Sequence, residues 1–121
     1  MKSALNWFEL AAIDLDRATR FYETLLGIRL KRTEFMGTPT AIFPHEKPGV
    51  GGALVKHPNR KPGESGSLVY LDASDMLDAC LERAARAGGA VVWPRTAIGE
   101  AGFFGIVRDT EGNVIGLHSM R

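Results

Sequence analysis

The chain has 121 residues, of which 45% are apolar and 24% charged. That length suits one domain and is too short for two independent cores, and the composition excludes a disordered or fibrous chain. Fifteen basic against fourteen acidic side chains leave a net charge of +1, without the basic surplus of a nucleic-acid reader.

A single cysteine excludes an internal disulfide framework and any CxxC motif. Cys80 falls on the apolar face of an expected helix, which favours a packed thiol over a nucleophile. Glu9 and Asp14 interrupt the first apolar stretch, so no signal peptide is expected. No apolar run approaches the roughly 20 residues that span a bilayer. The expected location is the cytoplasm.

Leu5–Ile13 reads as a buried strand, and Asp14 as the cap of the helix that follows. Ala18, Phe21, Tyr22, Leu25 and Leu26 make one helical stripe, which Gly27 ends. Strands are predicted over Ile28–Phe35, Thr38–Pro44 and Val50–His57, with turns at Met36–Gly37 and Lys47–Gly49. The segment Pro58–Gly66 reads as a linker. Leu68–Ala73 is the next expected strand, and Asp75 the cap of a second helix with a stripe of Leu77, Cys80, Leu81 and Ala84. Ala90–Pro94, Phe103–Arg108 and Val114–Met120 complete the strands, and Asp109–Asn113 is a strong hairpin turn.

The second half repeats the first. Asp14 and Asp75, Ala18 and Ala79, and Gly27 and Gly88 are each 61 residues apart. An α+β domain made of two strand–helix–three-strand units follows, with a first module of about 1–57, a linker of 58–66 and a second module of about 67–121. The one basic run, Lys56, His57, Arg60 and Lys61, lies in a Pro/Gly-rich stretch that crosses from the fourth expected strand into the linker. It reads as a solvated loop, with an anion site as the sharper alternative.

Asn6-Trp7-Phe8-Glu9-Leu10, Asp14-Leu15-Asp16-Arg17-Ala18, Phe21-Tyr22-Glu23, Leu26-Gly27 and the tail Asp109-Thr110-Glu111-Gly112-Asn113-Val114-Ile115-Gly116-Leu117 resemble one family in order and spacing. That family is the vicinal oxygen chelate superfamily, which contains glyoxalase I, the bleomycin-resistance proteins and the extradiol dioxygenases. The resemblance spans the whole chain. It implies two βαβββ modules forming an open, barrel-like curved sheet with helices outside, and commonly a homodimer. It does not by itself imply a reaction.

In the metal-using members, four strand side chains hold a divalent ion. Matching those positions to this chain gives Trp7 and Leu68, seven residues ahead of Asp14 and Asp75, then Gly52, and Gly116 on the last strand. None carries a lone pair suited to a divalent ion. A shift of one residue does not help, because Phe8, Val69, Ala53 and Ile115 are equally without donors. No metal and no cofactor are therefore expected, and ion-dependent isomerisation or ring cleavage is placed in doubt.

Strand alternation extends each position by two residues. It aims Trp7, Glu9, Leu54, Lys56, Leu68, Tyr70, Asp72, Gly116 and His118 into the cavity. Glu9 and His118 are the candidate acid–base pair, each with a structural role as the alternative. Trp7, Tyr70, Leu54, Leu68 and Gly116 are candidate ligand contacts. His45 and His57 read as loop histidines, with an adventitious metal pair as the alternative. A small-molecule-binding protein is the first functional expectation. A lyase, isomerase or dioxygenase-related enzyme using Glu9 or His118, or an unrecognised divalent metal site, is the second, and a regulatory partner of another protein the third. Neither nucleic acid nor membrane is expected as a partner.

Overall fold

The structure is a computed structural model and describes residues 3–121. In the first module β1 (Trp7–Ala11) leads into α1 (Leu15–Leu26), followed by β2 (Lys31–Phe35), β3 (Thr38–Ile42) and β4 (Gly51–Val55). The second module repeats the order with β5 (Tyr70–Asp72), α2 (Leu77–Arg86), β6 (Ala90–Ala97), β7 (Phe103–Arg108) and β8 (Val114–Ser119). Each module forms its own four-stranded mixed sheet, ordered β1-β4-β3-β2 and β5-β8-β7-β6. The first strand of each pairs in parallel with the last, and the remaining pairs are antiparallel. The two βαβββ modules expected from the repeat are present, and the sheets do not close into a barrel.

Local chemistry explains the helix ends. Asp14 accepts a hydrogen bond from the Arg17 amide at 3.0 Å and so caps α1, while Gly27 takes the left-handed conformation that closes it. Asp75 does not do the same for α2. Its own φ is 62°, the helix starts one residue later at Met76, and no side chain caps it. Asp75 instead donates its amide to Ser119 Oγ at 3.1 Å. The Met36–Gly37 turn forms as expected, with positive φ at both residues, as a two-residue hairpin requires.

One continuous apolar core joins the modules. α1 and α2 pack on each other and on the inner faces of both sheets. Phe21, Tyr22 and Leu25 share one buried cluster with Leu77, Cys80, Val107, Ile115 and Leu117. The opposite face of each sheet carries no helix. That open face holds exposed apolar side chains, among them Trp7, Tyr70 and Trp93.

The Asp109–Asn113 turn fastens the second module to the first. Asp109 Oδ2 accepts from Tyr22 OH at 2.6 Å, and its Oδ1 accepts from the amides of Glu111 and Asn113 at 2.8 and 2.9 Å. Asn113 Nδ2 reaches the Ala11 carbonyl at 2.7 Å, and its Oδ1 takes the Gly63 amide at 3.2 Å. Glu111 Oε1 accepts both the Ile13 and Asp14 amides at 2.8 Å, giving two donors an acceptor where β1 turns into α1. The Asp-x-Glu-Gly-Asn sequence thus does more than turn a hairpin. Gly112 supplies the positive φ of 96°, and the three polar side chains reach across to the first module.

Candidate functional site

The pairing registers decide which residues face the open side. Trp7, Glu9 and Ala11 stand opposite Gly51, Ala53 and Val55, and residues paired this way point to one face. Val55 pairs with Thr40, which pairs with Thr33, and Ala53 pairs with Ile42. This open face carries a cleft of about 850 Å³, lined by Trp7, Glu9, Thr33, Ile42, Val55 and His57 among others. The volume suits a small organic molecule.

Glu9 is the acceptor inside it. Its Oε2 takes Trp7 Nε1–H at 3.4 Å, and Arg60 Nη1 lies 3.9 Å from its Oε1. Both contacts are long, so the carboxylate keeps lone pairs free for a ligand. Trp7 meets the His45 ring edge-on at 5.8 Å. That ring occupies the space over Gly51, where a Cβ would stand 2.6 Å from His45 Nδ1.

The register corrects part of the sequence reading. Gly52 pairs with Phe8 and Leu54 with Leu10, so both face the helices and not the cleft. Leu54 is a core residue at 1% exposure, and it cannot touch a ligand. The first-module position that matches Gly116 is Ala53, because Glu9 opposite Ala53 reproduces Tyr70 opposite Gly116. The four positions on the open faces are then Trp7, Ala53, Leu68 and Gly116. They do not fit a divalent ion, since none offers a carboxylate, imidazole or carboxamide. Among the described residues, no group of three or more His, Cys, Asp or Glu is placed to hold one.

Tyr70, Asp72, Gly116 and His118 share the open face of the second sheet. The Tyr70 ring lies over Gly116, where a Cβ would come within 2.3 Å of it, and meets Phe104 edge-on at 6.3 Å. Leu68 precedes β5 and is 42% exposed. Asp72 is occupied by the amide and hydroxyl of Ser74. His118 Nε2 lies 2.6 Å from the Ala101 carbonyl, so it carries the proton of the neutral ring and leaves Nδ1 as a base. Glu9 lines the first-sheet cleft and His118 stands on the second sheet, so the candidate pair does not share a cleft.

The structure adds further residues to the cleft. Thr33, Thr40 and Ile42 line it, as do His57 at the end of the first module and Arg60 in the linker. Thr38, Thr40 and Ile42 alternate with Pro39 and Ala41 at the strand period, a signal visible in the sequence. His57 and Arg60 have no such periodicity, and only the folded chain places them there.

Two ionisable side chains lie away from the cleft and serve packing. Burial, followed by the charge of Asp109 and the hydrogen bond to it, holds the Tyr22 hydroxyl far above its ordinary pKa. Burial raises the Cys80 thiol as well. Neither is poised for chemistry. Among the described residues, no helix is long and apolar enough to cross a membrane.

Comparison with known proteins matches the chain to a family. Residues 4–117 match the model of the Glyoxalase/Bleomycin resistance protein/Dioxygenase superfamily. A glyoxalase/bleomycin resistance protein from Albidiferax ferrireducens T118 superposes with a TM-score of 0.74 at 18% identity, covering 97% of this chain and 98% of that one. A second glyoxalase/bleomycin resistance protein, from Streptomyces sp. CB03234, gives 0.71 at 26% identity, covering 94% and 99%. The fosfomycin resistance protein FosX from Listeria monocytogenes gives 0.72 at 17% identity, covering 98% and 91%. No curated protein matches the chain. With the paired modules and all but a few terminal residues inside that match, the chain belongs to the glyoxalase/bleomycin resistance protein/dioxygenase superfamily.

Proposed function

We propose that the protein binds a small, partly apolar metabolite or drug on the open face of its first sheet, without a divalent ion, and as a homodimer. The observation that carries this reading is the cleft of about 850 Å³, with apolar walls from Trp7, Phe35, Ile42 and Val55 and polar groups from Glu9, Thr33, His57 and Arg60. Such a mixture of flat apolar area and a few directed polar atoms is what a small-molecule site needs. The positions Trp7, Ala53, Leu68 and Gly116 supply no side chain suited to a divalent ion, which supports binding by side chains alone.

Surface chemistry supports the dimer. All residues lining the cleft come from the first module and its linker. On or beside the second sheet, Leu68, Tyr70 and Trp93 remain 42%, 49% and 52% exposed. Uncovered apolar area of this kind marks an interface, and a second copy provides the matching open face.

The test is a screen of neutral aromatic fragments by protein-observed NMR, with native mass spectrometry and elemental analysis of chelator-free protein. Saturable shifts at Trp7 and Val55, a dimer mass and no stoichiometric metal are expected. A screen in which no fragment moves Trp7 would remove the binding reading. A stoichiometric divalent ion would remove the metal-free one.

A second reading, an acid–base lyase or isomerase, is favoured by His118, whose anchored Nε2 leaves Nδ1 as a base. Glu9 is the separate candidate base, in the first-sheet cleft. Glu9→Gln should leave the amide spectrum intact and abolish turnover, and unchanged turnover on an identified substrate would exclude Glu9 as the base.

A further inference from the structure

The basic run of the linker is built into the cleft. His57, Pro58, Asn59 and Arg60 form a β-turn closed by the Arg60 amide donating to the His57 carbonyl at 3.0 Å, with Pro58 at the position that favours its fixed φ. A turn of this type brings its first and last residues side by side. It follows directly on Val55 and Lys56 at the end of β4, so His57 and Arg60 stand at the cleft wall.

The hydrogen bonding of the turn sets what His57 presents. The Asn59 amide donates to His57 Nδ1 at 3.0 Å. An amide can only donate, so Nδ1 is the acceptor and Nε2 carries the hydrogen of the neutral ring. Arg60 stands beside it with a side chain 62% exposed, and its one ion contact among the described residues is the 3.9 Å approach to Glu9. Most of its five N–H donors are uncommitted. Both residues also line an adjoining cleft of about 710 Å³, where Lys56 and Lys61 add two cations. The carboxylate there, Glu111, is already held by Arg17. Glu9 and Glu34 are the carboxylates of the first cleft.

We propose that the His57–Arg60 turn is an oxyanion clamp, and that the ligand is a small carboxylate or similar oxyanion with an apolar or aromatic body. The anionic group meets His57 Nε2–H and the Arg60 guanidinium, and the body lies against Trp7, Ile42 and Val55. Arg is the side chain best matched to a carboxylate, through two parallel N–H donors. This assignment rests on the cleft being the ligand site, and it adds the charge class that the cleft selects.

The experiment uses the full chain and four probes: benzoate, its neutral analogue benzamide, the cation benzylamine, and inorganic phosphate. Binding is followed by NMR at the His57 ring and the Trp7 indole. Benzoate is expected to move both signals saturably, at least about tenfold more tightly than benzamide, as one charge-assisted pair would give. Arg60→Gln should lose about that factor, and His57→Gln a smaller one, with amide spectra unchanged outside the turn of residues 57–60, where His57 Nδ1 holds the Asn59 amide. Benzamide matching benzoate would overturn the clamp while leaving the cleft as a binding site. Phosphate matching benzoate without moving Trp7 would reduce it to a surface anion patch. Benzylamine binding tightest would show that Glu9 and Glu34 set the charge preference. No probe moving any cleft signal would fail the cleft itself.

Discussion

Glu111 grips Arg17 across 94 residues of sequence, through Nε to Oε2 at 2.8 Å and Nη2 to Oε1 at 3.1 Å. The same carboxylate takes the Ile13 and Asp14 amides, and its side chain is fully shielded from solvent. One side chain therefore completes the start of α1 and ties the last hairpin to it.

Removing that carboxylate should cost about 2–4 kcal/mol, since two amides and a guanidinium lose their acceptor together. Urea unfolding of Glu111→Ala at neutral pH checks this. A midpoint shift equivalent to less than about 0.5 kcal/mol, the size of an ordinary surface substitution, would contradict it.

The pH dependence has a definite sign. Burial alone would raise the Glu111 carboxyl, but Arg17, the Asp14 and Ile13 amides and Thr110 outweigh it, so its pKa lies below the ordinary value. A carboxyl lowered by folding contributes stability above its unfolded pKa of about 4.3 and loses it as pH falls through the folded value. The stability gap between wild type and Glu111→Gln should therefore shrink below about pH 4. A gap that stays constant down to pH 2 would show that the charge of Glu111 contributes nothing.

Tyr22→Phe should destabilise by about 1–2 kcal/mol while keeping the core packed. Its hydroxyl is fully buried and donates to Asp109 at 2.6 Å. Denaturant midpoints measure the change, and an unaltered midpoint would mean that Asp109 is satisfied by Asn113 and the turn amides alone.

Two glycines on opposite faces should respond differently to the same methyl group. At Gly52 an added Cβ would lie 2.2 Å from the half-buried Phe8 ring, which is packed against Phe43, so Gly52→Ala should cost about 1–3 kcal/mol. At Gly116 it would meet the Tyr70 ring, which is 49% exposed and can swing aside. Gly116→Ala should cost less than about 1 kcal/mol and move the Tyr70 ring signals. Equal losses in thermal unfolding would refute the difference between the faces.

Cys80 is fully buried and its thiol is raised by that burial. It should react with a thiol reagent only on unfolding. Stoichiometric labelling of the native protein at a free-thiol rate would show that α2 opens.

What could be read from the sequence was local or periodic. The α1 stripe, the Asp14 cap, the Gly27 terminator and the doubled module all follow from spacing and backbone preference, and all are present. The open-face assignment of β1 also followed, because Trp7 and Glu9 alternate with Phe8 and Leu10. β4 was different. Gly51-Gly52-Ala53-Leu54-Val55 is buried at every position and has no polar face to betray its register, so alternation alone aims Leu54 at the cleft while the folded strand turns it to the helices.

Tertiary structure alone decided the rest. Asp75 looks like Asp14 in sequence but takes a positive φ, and its amide is held by Ser119. Asp109, Glu111 and Asn113 look like turn residues, and their reach to Tyr22, Arg17 and Ala11 appears only when the modules dock. His57 and Arg60 look like a solvated linker until β4 delivers their turn to the cleft wall. Short-range preference acts through neighbours along the chain and is therefore written in the sequence. Which face a uniformly apolar strand presents, and which distant polar groups meet, depends on pairings that exist only after the chain has closed.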